Sequence, residues 1–567
     1  MSGPAPQPAL VLTAAVIGHR PERISDASKV TATLGAILQL IQTTLARAGA
    51  EAPYAPDEAR LRLTSSLAEG ADRLGATAAL AIGASLEVIM PFPPGEYEQD
   101  FPQAASREEF RTLAARADSI LVLDGQPGSR DKAYEAAGVV LLENCDLLIA
   151  VWDGEPGRGR GGTRDLLDEA ARRDIPIITV TPDGKTVSLR QGSPATAGRT
   201  RLDDLAVAPF DALADTVSRL AGAGMDEKFA AGWLALSRPP RRPFVYAAYP
   251  ILLRLLGAGA NRAARADPPR AAPAPPKDPP TAMHRAFSWW DTAAIEAAQA
   301  FRSAVIVNFA LAAFAVALAV FSLLAGDAKW IFVVGEVATI LLLLANSWHA
   351  GRRRWQERWL ESREIAELLR VSLMLRAAGI GRGPRETGEL TWSAWYVAAM
   401  ARSAPMPSTD LTDAGAASRS IVLEIGAQAA WNEATALRMR KAGHRLERVG
   451  EVLFVVVLAA SIGWLAMHVA RPEAAHDLKY LLTAITAGFP AIAASTYGIR
   501  LILDLEGIAE RARRMAAALR AILADFDDTP ATSATLQDLA RRSADVMLGD
   551  LAAWRLIAEG RRLTLPG

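Results

Sequence analysis

The chain has 567 residues, and its 62 basic and 62 acidic side chains cancel to zero net charge, so no basic excess points to nucleic acid as a partner. With 51% hydrophobic residues and a mean hydropathy of +0.13, it averages to a protein half soluble and half embedded in a membrane. Cys145 is the only cysteine, which excludes an intrachain disulfide and leaves no thiolate set for zinc; the six histidines are scattered, and no metal is expected.

Residues 1–8 have neither the basic start nor the apolar run of a signal peptide and read as a disordered tail. Across residues 9–185, short apolar, partly β-branched runs alternate with helical patterns. Strands are predicted near residues 10–17, 60–64, 86–90, 119–123, 146–152 and 175–180, with helices near 28–48, from 71, and at 106–116, 132–143 and 163–173. This alternation predicts an α/β, Rossmann-like, doubly wound parallel sheet whose ligand sits at the carboxyl ends of the strands.

Three loops fall at those ends. Gly18, His19 and Arg20 place a flexible backbone and two potential cations where the first strand stops. Ser65, Glu69, Gly70 and Asp72 follow the second strand; their hydroxyl and carboxylates suit ribose hydroxyls, or equally an ordinary helix cap with solvated acids. Trp152, Asp153 and the glycine-rich run to Gly161, Gly162 and Thr163 leave the fifth strand and enter a helix whose free amides favour an anion. A mobile surface loop is the other reading of that run.

Residues 186–260 form a connecting region, with an amphipathic helix over 210–221 and an apolar stretch at 244–257 too short to cross a membrane. Residues 261–280, rich in Ala, Pro and Arg, read as an extended linker. Beyond it, about 303–325, 330–348, 452–470 and 480–499 are apolar and, at ~1.5 Å per residue, long enough for a hydrocarbon core of ~30 Å. The third run is the weakest, and a buried soluble helix is its alternative. Residues 281–390 and 391–567 thus read as two two-span modules, together an all-α membrane domain with four transmembrane helices. Arg302 and Arg445 precede the hairpins 143 positions apart (445 − 302), and Ile365-Ala366-Glu367 and Ile508-Ala509-Glu510 follow them at the same offset, the mark of a duplication. Trp431 and Trp554 each follow a pair of alanines outside the hairpins.

Glu336 is the only carboxylate within the four runs; its cost in hydrocarbon places it on a membrane path facing protein or water, or makes it snorkel outward. Arginines crowd the inner ends of all four spans, which predicts cytoplasmic termini and a cytoplasmic sheet domain, with lipid head groups as the partners of those arginines. The helices after each hairpin interleave Arg and Glu with apolar residues, a pattern suited to a cytoplasmic bundle and to a homo-oligomer.

Ala15-Val16-Ile17-Gly18-His19-Arg20, Ser65 with Glu69-Gly70-Ala71-Asp72, and Asp146–Gly154 with Gly161-Gly162-Thr163 together resemble the SLOG superfamily over residues 9–185. That superfamily includes Lonely Guy phosphoribohydrolases and DprA-like proteins. The resemblance implies a Rossmann-type domain for a nucleotide or nucleotide derivative. Where the Lonely Guy motif carries a glutamate three positions past its threonine, this chain has Leu166, so their glycosidic hydrolysis is not expected. The segment from Ala300 to Phe309, followed by two spans and an Arg/Glu-rich helix, resembles the SLATT type of two-span module, which accompanies SLOG domains in bacterial conflict systems. The pair implies an inner-membrane effector that senses a nucleotide and responds by pore formation or membrane perturbation. The alternatives are a membrane-tethered nucleotide or NAD-derivative hydrolase using Glu69, Asp72 and Asp153, and a passive anchored scaffold.

Overall fold

A computed structural model describes residues 3–48, 53–56, 59–155, 162–191, 201–222, 227–238, 244–259, 281–323, 325–381, 391–473 and 478–560. Strands β1 (Val11–Gly18), β2 (Arg60–Ser65), β3 (Ser85–Met90), β4 (Ser119–Val122), β5 (Leu147–Val151) and β6 (Ile177–Val180) lie where the apolar runs predict them. Helices α1 (Ala27–Ala48), α2 (Ala71–Ala81), α3 (Pro94–Tyr97), α4 (Ala104–Ala114), α5 (Arg130–Glu143) and α6 (Thr163–Arg172) connect them.

The sheet is larger than predicted. Among the described residues it has nine strands in the order β8-β7-β6-β5-β1-β2-β3-β4-β9, adding β7 (Val187–Gln191), β8 (Ala206–Ala208) and β9 (Thr409–Asp410). β1 to β6 and β9 pair in parallel, but β7 and β8 run antiparallel, so the sheet is mixed and the domain does not stop at residue 185. The cause is a Pro182-Asp183-Gly184 turn: Gly184 takes φ 67°, Thr181 Oγ donates to Asp183 at 2.6 Å, and the chain returns along β6. β9 arrives from the second membrane module, so sheet and helical parts are interwoven.

Period-two alternation sends the sheet's side chains to two layers. Leu12, Ala14 and Val16 of β1 and Leu147, Ile149 and Val151 of β5 pack under α1 and under α7 (Ala212–Leu220). Ala15, Ile17, Leu148 and Ala150 face the other way, onto α5 and α6, and that core continues without a break into the helical half. There it takes in Met374 of α12 (Trp355–Ala377), Ile425 of α14 (Ala414–Ala470), Leu519 of α16 (Leu505–Asp527) and Leu539 of α17 (Ser533–Glu559). The expected disordered tail is also corrected, because the polar backbone of residues 3–8 finds partners. Trp289 donates to the Gly3 carbonyl at 3.0 Å, Tyr396 to that of Pro6 at 2.7 Å, and Ala5 is buried against α8 (Glu227–Leu236). The 261–280 linker lies outside the described residues.

The helical half is built twice. α10 (Ala282–Ser322) turns into α11 (Lys329–Arg352), and α14 turns into α15 (Lys479–Leu503). Each returning helix ends at a non-glycine residue in the left-handed region, Arg354 and Asp504, both at φ 51°, and α12 or α16 starts immediately after. These breaks are 150 positions apart (504 − 354), not 143. Ile365-Ala366-Glu367 and Ile508-Ala509-Glu510 are therefore not equivalent places; they differ by seven residues, about two helical turns, which leaves both triplets on a similar face. The hairpins pack against each other through α10 and α15.

Among the described residues four helices are long and apolar enough to cross a membrane, and their most apolar stretches are mostly exposed, between 0% and 28% buried. For the third, the most apolar stretch is 0% buried, with Phe454, Val455, Leu458 and Ile462 all exposed, which rules out the buried soluble helix. Exposed apolar surface on this scale marks a membrane protein. Inside the first hairpin, Asn308 donates to Ser347 at 2.8 Å and Asn346 to Asn308 at 2.7 Å, a polar clasp shielded between the two helices.

Candidate functional site at the carboxyl end of the sheet

β1 lies at the point where the strand order reverses: the chain leaves it toward β2, β3 and β4, then returns on its other side as β5. The carboxyl ends of the strands at such a reversal are the usual place for a ligand in a sheet of this kind. Close approach of backbone is needed, and glycines supply it. A Cβ on Gly18 would lie 2.5 Å from the Val151 carbonyl and 2.7 Å from Ala71 Cβ. Gly70 takes φ 98°, and a Cβ there would strike the His19 carbonyl, which accepts a hydrogen bond from the Ala71 amide at 3.1 Å.

His19 closes the switch point. Its Nε2 lies 3.1 Å from the donating Asp153 amide and 3.0 Å from Asp153 Oδ1, joining the β1 and β5 loops. Asp153 also receives Arg23, and the Glu155 amide donates to it at 3.0 Å. Burial alone would raise the Asp153 carboxyl, but the Glu155 amide, His19 and Arg23 outweigh it and hold the group below its ordinary value. The imidazole is therefore engaged in holding two loops together, while Arg20, 45% exposed at the side chain, and Arg23, 34% exposed, are the cations that meet solvent.

The β2 loop is held from within. Leu67, fully buried, takes φ 54°, and Ser65 Oγ accepts its amide at 3.1 Å. Asp72, in the first turn of α2, is buried and accepts the Ser66 and Ala68 amides; burial nonetheless pushes its carboxyl up to about 7. Glu69 accepts Ser106 Oγ and lies 3.8 Å from Arg20. Arg73 completes this wall, donating to Ser106 Oγ at 2.7 Å and to Glu109 at 3.0 Å while stacking 4.3 Å over Phe101.

Gly18, His19, Arg20, Ser65, Glu69, Gly70, Asp72, Trp152 and Asp153 thus come together at one end of the sheet. Gly162 and Thr163 begin α6 on the same side, with Gly162 as the capping residue; Gly161 lies outside the described residues. Trp152 braces the loop by donating to the Glu155 carbonyl at 3.0 Å, with Arg164 5.7 Å over its ring. Glu336 is elsewhere, half-exposed on α11 beside outward-facing Val334 and Val337. Sequence reasoning missed Arg23, Arg73 and Ser106. Arg23 was within reach, three residues past Arg20 on the same loop; Ser106 is delivered by α4, beyond β3, and only the fold brings it in. Among the described residues no group of three His, Cys, Asp or Glu side chains could hold a metal.

Fold and site together define a mixed, mostly parallel sheet domain locked onto a four-span helical membrane part. Comparison with protein-family models finds no match, and comparison with curated proteins finds none either.

Proposed function

We propose that the carboxyl end of the sheet binds a nucleotide or nucleotide derivative and that binding drives the spans to open a path through, or otherwise perturb, a bacterial inner membrane. In this reading the sheet domain is cytoplasmic, the assembly is a homo-oligomer, and the halves follow the SLOG and SLATT resemblance. The observation that carries it is the shared core: the sheet layer beneath the switch-point loops continues into α12 and α16, the helices that resume directly after each hairpin. A ligand that draws the loops after β1, β2 and β5 together therefore acts on elements already packed against the membrane helices. Arg20 and Arg23 supply the charge for phosphate, and Gly18 and Gly70 keep the backbone clear.

The test uses the full-length protein. Calorimetry against a nucleotide panel should find a binder, and Arg20→Glu with Arg23→Glu should remove it. In liposomes, that nucleotide should release a trapped dye from wild type and not from the double variant. Absence of binding across the panel refutes the site, and binding without leakage refutes the response. One observation favours a hydrolase instead: Asp72, with its carboxyl near 7, is placed to hold or move a proton beside Glu69. Turnover of the bound nucleotide in sealed liposomes would select that reading.

A further inference from the structure

A cavity of about 440 Å³ lies away from the sheet's carboxyl end, inside the helical bundle where α10, α12, α14, α16 and α17 converge just before the spans begin. Its lining is mixed apolar and charged, with Tyr249 and three tryptophans among it. Trp359 and Trp554 meet edge to face at 5.3 Å, Trp431 lies under the Arg363 guanidinium at 5.9 Å, and all three line the space. Trp431 and Trp554 are the tryptophans of the two Ala-Ala-Trp sequences, so both copies of that signature point into one cavity.

Its charges are unevenly matched. Asp291 and Glu367 are taken up by Arg370, at 3.5 and 2.9 Å, and by Arg363; Arg511 is held by Asp504 at 2.9 Å. Arg302 and Arg438 also line the cavity, and among the described residues neither has a carboxylate within ion-pair reach. Arg302 lies between Tyr249 and Trp359, 5.2 and 5.0 Å from their ring centres, and Arg438 only donates to Thr435 Oγ at 3.0 Å and to the Ala434 carbonyl. Arg302 directly precedes the first span, yet it is stacked between rings of the bundle rather than extended toward lipid. Asp550 lines the cavity as well; burial raises its carboxyl, which lowers its opposition to an incoming anion.

From these residues we infer that the cavity is a second ligand site, for a phosphate ester bearing an apolar or planar body: the phosphate meets Arg302 and Arg438, and the body lies among Trp359, Trp431 and Trp554. The volume suits a lipid head group with its first methylenes, or a nucleotide. Guanidinium pairs supply the charge-assisted hydrogen bonds, and the indoles the stacking or apolar contact.

The test titrates full-length protein in a neutral detergent with six-carbon-chain phosphatidylglycerol, with ATP, and with six-carbon-chain diacylglycerol as the phosphate-free control, reading the rise in Tm. Phosphatidylglycerol or ATP should give a saturable rise and diacylglycerol none. Arg302→Gln and Arg438→Gln should each weaken the effective ligand about tenfold, as loss of a charge-assisted hydrogen bond does, and Arg302→Lys, which keeps the charge but loses the planar stack between Tyr249 and Trp359, should fall between wild type and Arg302→Gln. The response must persist in the Arg20→Glu, Arg23→Glu protein, which separates this cavity from the sheet site. Response to phosphatidylglycerol alone assigns a lipid, and to ATP alone a soluble nucleotide. No saturable response to either, or unchanged midpoints in both glutamine variants, overturns the inference.

Discussion

Asp72 makes the stability of the sheet domain depend on pH in a direction opposite to that of an ion-paired carboxylate. Its carboxyl is held at about 7 against an ordinary 3.8, because burial outweighs the Ala68 and Ser66 amides and the pull of Arg20. The folded chain therefore binds this proton more tightly than the unfolded chain does. Asp72 favours folding fully below pH ~4, and that contribution is lost as pH climbs to about 7, after which it levels off. A shift of about three units at ~1.36 kcal/mol each makes the loss about 4 kcal/mol. Asp72→Asn keeps the shape and has no proton to lose. Thermal unfolding followed by tryptophan fluorescence in detergent, from pH 4 to pH 8.5, should place the variant progressively above wild type as pH rises, with the gap widening to a constant value above pH ~7.5. Parallel curves, or wild type gaining on the variant with rising pH, would refute the reasoning.

A buried polar joint ties β2 and β3 to the segment entering β9. Glu87 receives Arg62 at 3.1 Å and the Met406 amide at 2.6 Å, and burial lowers the neighbouring Arg376 to about 10. Glu87→Gln strands these cations and should cost about 3–5 kcal/mol, read as a fall in Tm; a loss under ~1 kcal/mol would contradict the burial argument. Gly70→Val needs φ 98° and collides with the His19 carbonyl, so it should lower Tm and abolish nucleotide binding in calorimetry, and wild-type behaviour in both would disprove the close packing of the two loops. Between the hairpins, a Cβ on Gly498 would lie 2.5 Å from Phe309 Cζ, so Gly498→Leu should loosen α15 from α10 and increase protease cleavage, with Phe309→Ala restoring resistance; a variant as resistant as wild type is the adverse result. In a Cys145→Ala background, a cysteine at Asp327 should react with an impermeant maleimide in intact cells and one at Pro405 should not, and the reverse pattern inverts the orientation.

Much of the sheet could be read from residue order because β1 to β6 are apolar runs bounded by turn residues. β7 and β8 could not be read from apolarity: Val187–Gln191 carries Ser188, Arg190 and Gln191, and its one clear signal was the Thr181-Pro182-Asp183-Gly184 turn ahead of it. β9 is two residues long and has no local pattern at all; pairing with β4 alone makes it a strand. The three glycine-bearing loops were legible because strand–helix alternation puts every such loop at one end of a parallel sheet. Their closure was not, since the Asp153 to His19 contact spans more than a hundred residues of chain and depends on which strand becomes the neighbour of β1. Both Ala-Ala-Trp sequences were visible, but nothing in either copy alone indicates a cavity shared by both.

α14 runs without interruption for 57 residues, from the core beneath the sheet to the far end of the third span. At ~1.5 Å per residue that is about 85 Å of one rod, and a tilt of only ~5° about its sheet-bound end would sweep the distal end by about 7 Å. In the first module α10 is likewise unbroken, for 41 residues, but the core beneath the sheet takes in α12, beyond the break at Arg354, rather than α10. The two hairpins therefore meet the core beneath the sheet by different routes: the second through the unbroken α14 as well as through α16 beyond its break at Asp504, the first through α12 beyond Arg354. A shift of the sheet reaches the two hairpins by these separate routes, and the α10–α15 seam is where the two meet.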